Sequence, residues 1–200
     1  MLNYLLQSFS GPAGPFMYAL LALLAFALAV VIERAITLSR ARCDGEALLA
    51  RLAPAVRSGE GLQLGDTPME RVAAAGLESR DPEVAWDAMA ARAVQADLAI
   101  RRRIPYLATV ASISTMVGLV GTVYGLILAF GAVGEVSGAE RAARLSEGSA
   151  TAMATTAFGL LVAIPAMVAH SVAEAGAREL LGQIEHMANR LMVMLREARR

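Results

Sequence analysis

The chain has 200 residues, of which 56% are hydrophobic and 18% charged, with a formal net charge of zero and a mean hydropathy of +0.53. It is too apolar for an ordinary soluble domain, and its charges gather in particular stretches, which defines an integral membrane protein. The balanced charge leaves no basic excess for nucleic acid, and the one cysteine, Cys43, cannot form an intramolecular disulfide and reads as an inert thiol.

Residues 1–15 carry no charged side chain, and Gly11, Pro12, Gly14 and Pro15 break the chain just ahead of an apolar run. A helix should start near Pro15. The run from Phe16 to Ile32 is rich in Leu and Ala and is followed by Glu33, Arg34, Arg40 and Arg42, so the first transmembrane helix is placed at 16–36. The cations follow the apolar run, where a cleaved signal peptide would carry them ahead of it. This predicts an uncleaved anchor with an outer, periplasmic N-terminus at 1–15. Arg101, Arg102 and Arg103 precede the second apolar stretch, and Arg178, Arg190, Arg196, Arg199 and Arg200 follow the third. All three arginine groups agree on one orientation, with a cytoplasmic insert at 37–103 and a cytoplasmic tail at 174–200.

The insert reads as helical. Ala47, Leu48, Leu49, Leu52 and Val56 recur at intervals of three and four, and Gly59, Gly61 and Gly65 break the pattern between Ser58 and Asp66. Asp66 or Thr67 followed by Pro68 and Glu70 marks a helix start, and Asp81, Pro82 and Glu83 mark a clearer one. With no strong breaker read before Gly118, a helix from Pro82 to Gly134 spans about 53 residues, or about 80 Å, far more than a bilayer needs. The second span is therefore expected to extend into the cytoplasm. The tail behaves in the same way, because Leu180, Leu181, Ile184, Met187, Leu191, Met192 and Leu195 form an apolar stripe. The stripe must be covered by the insert, by a neighbouring subunit or, as a basic amphipathic helix, by the membrane surface.

The second and third spans, at 104–134 and 148–173, are joined by a short charged loop at 135–147. Along the second, Ser114, Gly118, Gly121, Gly125, Ala129 and Ala132 make one face of small residues, with Thr115 and Thr122 on the adjoining stripe. Along the third, Gly148, Ala152, Thr155, Gly159, Ala163 and Ala166 make a comparable face, with Thr151 and Thr156 beside it. A lone threonine such as Thr109 ordinarily bonds the carbonyl one turn back and does no more. Clustered hydroxyls, which donate and accept, also suit the wall of a polar path, and packing and path lining both remain open from the residues alone. Glu147 sits at the outer mouth. His170 stands four residues past Ala166, either as an ionisable group at the inner end of the path or as a histidine wetted by headgroups. Glu33 with Arg34 reads as an interfacial anchor or a gate.

Gly118-Leu-Val-Gly-Thr-Val-Tyr-Gly125 and Ala154-Thr-Thr-Ala-Phe-Gly-Leu-Leu-Val-Ala-Ile-Pro165 resemble the paired signature of the MotA/TolQ/ExbB proton-channel family, and Ile32-Glu-Arg34 is similar to that family's exit from its first helix. The likeness covers nearly the whole chain, although the insert matches only in length and helical character. The flagellar stator branch usually has four spans, so the TolQ/ExbB branch is the closer likeness. The resemblance implies a homopentamer around two copies of a single-span partner of ExbD, TolR or MotB type, whose membrane aspartate takes part in cation flow that drives mechanical work. It places Thr122 and Thr156 on the two pore threonines, facing that carboxylate, and Pro165 on the helix-kinking proline.

Two departures follow from the same comparison. Thr151 stands where ExbB and TolQ carry a buried Glu, and Thr115 stands where many members carry Pro. Either the acid role has moved, or the partner supplies the only membrane carboxylate. The added hydroxyls of Thr115, Thr151 and Thr155 could favour Na⁺ over H⁺. The expectation is an all-α polytopic protein with three transmembrane helices, the channel-forming subunit of an inner-membrane motor that uses no cofactor beyond the transported ion. The alternatives are a non-conducting membrane scaffold and, less supported for want of an inverted repeat, a small-solute transporter. No nucleophile elbow, phosphate loop or metal-spaced His and Cys cluster supports an enzyme.

Overall fold

The computed structural model describes residues 9, 11, 13–58, 62–79, 81–131 and 138–198. Among them are six helices and no strand: α1 Gly14–Ala41, α2 Gly45–Ser58, α3 Pro68–Leu77, α4 Pro82–Arg101, α5 Ile104–Gly131 and α6 Gly138–Glu197. The fold is all-α, and three helical stretches are long and apolar enough to cross a membrane. Gly59, Gly61, Ala132, Gly134, Arg199 and Arg200, used in the sequence reading, lie outside the described residues.

The helix starts follow from their capping chemistry. Pro15 sits in the first turn of α1, where its missing N–H costs nothing. Thr67 caps α3 with a full capping box, its hydroxyl accepting from the Glu70 amide while the Glu70 carboxylate accepts from the Thr67 amide. Asp81 caps α4 by accepting from the Glu83 amide, and Pro82 follows at the first helical position.

Two expected boundaries change. The single helix expected from Pro82 is interrupted, since α4 ends at Arg101, Arg102 leaves helical geometry and Arg103 takes φ 65°. The cause is Pro105. It cannot donate to the Arg101 carbonyl four residues back, and in a continuous helix its ring would clash there, so α5 restarts with Pro105 in its first turn. The other change is in the charged stretch expected as a loop at 135–147, which is helical from Gly138 onward. Between Gly138 and Gly148 the chain has no Gly or Pro, and Arg144 pairs with Glu140 one turn back at 3.0 Å, so charge there marks a helix surface.

Contacts divide the chain into two units, Met1–Ile32 with Arg103–Ser171, and Glu33–Arg102 with Val172–Arg200. The first unit has a core of Met17, Leu20, Ala27 and Val30 from α1, Leu107, Val110 and Ala111 from α5, and Phe158, Val162, Ala163 and Ala166 from α6. Outside that core, large apolar side chains such as Met116, Leu119, Val123, Ile127, Leu161 and Ile164 are exposed. That apolar exposure suits hydrocarbon or a neighbouring chain and would be costly in water.

In the second unit, the expected tail stripe is buried at Leu180, Ile184, Met187, Leu191 and Met192. Its cover is the insert. At Gly76 in α3 an added β-carbon would lie 2.6 Å from the Met89 sulfur of α4 and 3.2 Å from Leu191 of α6. The stripe is therefore core, and the reading of a tail lying on the membrane surface is set aside. Leu48, Leu49 and Leu52 of α2 are buried as their spacing required.

Candidate ion-path site

The site lies in the first unit, where the small faces of α5 and α6 meet. Ser114, Gly118, Gly121, Gly125 and Ala129 are all buried, and opposite them so are Ala152, Thr155, Gly159, Ala163 and Ala166. The approach is close enough to exclude side chains. A β-carbon on Gly159 would lie 2.7 Å from the Ser114 carbonyl oxygen and 3.1 Å from the Gly118 α-carbon, and one on Gly121 would lie 2.8 Å from the Thr155 hydroxyl. Gly118 and Gly125 are similarly crowded, by the Thr155 carbonyl at 3.2 Å and the Ala152 β-carbon at 3.0 Å. Two helices packed backbone to backbone bring carbonyls and hydroxyls into reach of one another.

The hydroxyls use that reach unequally. Thr109 bonds the Pro105 carbonyl at 3.3 Å, and the exposed Thr115 bonds the Ala111 carbonyl at 3.0 Å, each one turn back on its own helix. Thr122 and Thr156 bond across the seam. The Thr122 hydroxyl reaches the Gly118 carbonyl at 3.1 Å and the Ala152 carbonyl of α6 at 3.3 Å. Thr156 donates to the Gly118 carbonyl of α5 at 3.1 Å, and the two hydroxyls touch each other. Both residues are half-buried.

The remaining candidates separate by position. Thr155 is 0% exposed and donates to the Ala152 carbonyl at 2.7 Å, facing Gly121 inside the seam. Thr151 is half-buried on α6, and Glu147 is exposed one turn earlier on the same helix. Pro165 lies inside α6, where its missing N–H frees the Leu161 carbonyl. The His170 Nδ1 lies 3.2 Å from the Ile104 carbonyl at the start of α5. Between the knot and His170 stand Val110, Ala111, Val162, Ala163 and Ala166, together with the buried Ser114.

Two features escaped the sequence reading. Ser114 was counted as a small residue, yet its hydroxyl is fully buried with no partner among the described residues. Arg34 was read with Glu33 as an anchor or gate. It is only 4% exposed, within the second unit, where it donates to Glu33 at 2.8 Å and to the Ala99 carbonyl near the end of α4 at 3.4 Å. Its contact lies 65 residues away in sequence, and no local pattern signals it. In the same unit Arg101 pairs with Asp97 at 2.7 Å and with Glu174 of α6.

Three long apolar helices and a hydroxyl knot between two of them define a polytopic helical membrane protein with a polar feature inside an apolar unit. The family model of the MotA/TolQ/ExbB proton channel family matches residues 65–186, which takes in both glycine faces and the knot. The chain belongs to that family. Comparison with curated proteins gave no match.

Proposed function

We propose that this chain is the channel-forming, stator-type subunit of an inner-membrane motor that converts proton motive force into mechanical work. Working copies form a homopentamer around two copies of a single-span protein with a membrane aspartate, in the orientation set by the arginine groups. The observation that carries the reading is the half-buried knot of Thr122, Thr156 and the Gly118 carbonyl. Simple back-bonding, as at Thr115, would satisfy either threonine without joining the helices. Hydroxyl and carbonyl oxygens gathered within an apolar unit suit a group that passes through without being held.

On this reading Thr122 and Thr156 line the path, Thr155 and the glycines hold the seam closed, and Thr151 and Glu147 flank the outer approach. His170 stands at the inner end. Substituting Val for Thr122 or Thr156 should lower ion-coupled work while the assembled complex persists, and normal work in both variants would remove these residues from the path. Ion flux along a pH gradient without sodium is expected to persist, with H⁺ as the carried ion; flux that requires added sodium would assign Na⁺ instead.

A further inference from the structure

His170 is engaged at one ring nitrogen only, which leaves the other a task if the ion-path reading above holds. Its Nδ1 lies 3.2 Å from the carbonyl oxygen of Ile104, the wholly buried first residue of α5. A carbonyl only accepts, so Nδ1 carries the proton of that bond and the lone pair of the neutral ring stands on Nε2. Nε2 bonds to no described residue, and it is not among the side-chain atoms buried without a partner, so it is open at the edge of the half-buried ring. A proton added at Nε2 leaves the Nδ1–H bond to Ile104 in place. The ring can therefore change charge without moving.

No other side chain in the spans offers the same chemistry. Residues 16–32, 104–131 and 148–169 include no Asp, Glu, Lys, Arg, Cys or other His. Their ionisable groups are three phenols packed on rings, Tyr18 on Phe9, Tyr106 on Phe26 and Tyr124 on Phe16, and a phenol is no base near neutrality. Arg103, directly ahead of Ile104, is exposed, and a guanidinium accepts no proton. Glu147 is exposed at the opposite end of the span. Arg101, Arg102 and Glu174 belong to the second unit, where Arg101 pairs with Asp97 and Glu174.

We infer that His170 takes up the transported proton at the inner end of the path on Nε2 and passes it to water on the cytoplasmic side, while Nδ1–H keeps the ring fixed to Ile104. An N–H bond forms at Nε2 and the ring becomes imidazolium. That bond then breaks, the proton goes to water, and the neutral ring returns. Release depends on the inner pH, because an acidified interior holds the ring charged.

The test measures proton flux into vesicles that hold the intact complex with its cytoplasmic face inward, at a fixed gradient, while the internal pH is stepped between about 8 and 5, the range in which imidazole changes charge. Wild-type flux should fall as the interior is acidified. In H170N the amide nitrogen stands in for Nδ1 and keeps a donor for the Ile104 carbonyl, while Nε2 is gone; flux should be about tenfold lower and independent of internal pH. H186N removes the other histidine, an exposed one in the second unit 4.0 Å from Glu46, and should keep the wild-type profile. Wild-type flux in H170N, or a decline on acidification that survives in it, overturns the inference and leaves His170 as an anchor for α5. If H170N does not assemble, nitrogen NMR of the histidine-labelled H186N complex decides: a ring protonated on Nδ1 throughout and titrating at Nε2 supports the inference, and a neutral ring protonated on Nε2 overturns it. No flux from the wild type at any pH would instead bring down the ion-path reading itself, and the inference with it.

Discussion

Gly159 faces the main chain of α5 across the seam. Alanine there would press its β-carbon against the Ser114 carbonyl and the Gly118 α-carbon, both main chain, so the helices themselves would have to part. Overpacking of this kind costs about 1–3 kcal/mol, and G159A should lower the thermal unfolding midpoint of the detergent-solubilised protein. Gly182, in the same helix, has nothing within 4 Å, so G182A should raise stability by about 0.5–1 kcal/mol through helix propensity alone. Equal shifts in the two variants would contradict the packing account. T115V should leave ion flux unchanged where T122V lowers it, since Thr115 serves only its own helix. The small faces were legible because Gly and Ala at steps of three and four have few other uses in an apolar helix. The contrast between Thr115 and Thr122 was not, because both occupy the same stripe and only the position of α6 tells them apart. The buried Thr155 likewise could not be told from Thr156, its neighbour in sequence.

Among the elements, the α4–α5 break and the α3 cap are the features most open to test. P105A supplies the missing N–H and removes the ring, so the helix should continue through Arg102 and Arg103. Amide hydrogen exchange at residues 102–104 should slow in that variant, and exchange as fast as in the wild type would show that Pro105 is not the cause. The cap gives a pH dependence. Glu70 is 8% exposed, and the hydrogen bond from the Thr67 hydroxyl, with the Thr67 and Gly65 amides and Arg51 adding to it, holds its carboxyl below the usual glutamate range against the cost of burial. Because the folded pKa lies below the unfolded one, this stabilisation is complete above the unfolded value of about 4.3 and is lost as pH falls through it toward the folded value. T67A should cost about 1 kcal/mol at neutral pH, and the deficit relative to wild type should shrink on acidification; a deficit independent of pH would argue against Glu70 as the group responsible. Caps and stripes were legible from sequence because they are local. The break was missed because a proline early in an apolar run reads as part of the span, and the helix at Gly138–Gly148 was missed because charge was taken for loop.

For the whole molecule, the three-span architecture followed from apolar length and the buried tail stripe from its period. The hydrogen bond of Arg34 to the Ala99 carbonyl and the ion pair of Arg101 with Glu174, which join residues 65 and 73 apart, could not be read from the sequence. The proposed orientation can be tested with the one cysteine. Cys43 is partly exposed, just beyond α1. On the proposed topology, a membrane-permeant maleimide should label it in intact spheroplasts and an impermeant one should label it only after lysis. Labelling by the impermeant reagent in intact spheroplasts would reverse the orientation. The most direct test of the central claim is proton flux into vesicles holding the complex, driven by a pH gradient in sodium-free buffer, for wild type and T156V at equal assembly. Rapid flux is expected for the wild type and about a tenfold or greater loss for T156V, a barrier change of about 1.4 kcal/mol; equal flux from the two would contradict a role for Thr156 in the path.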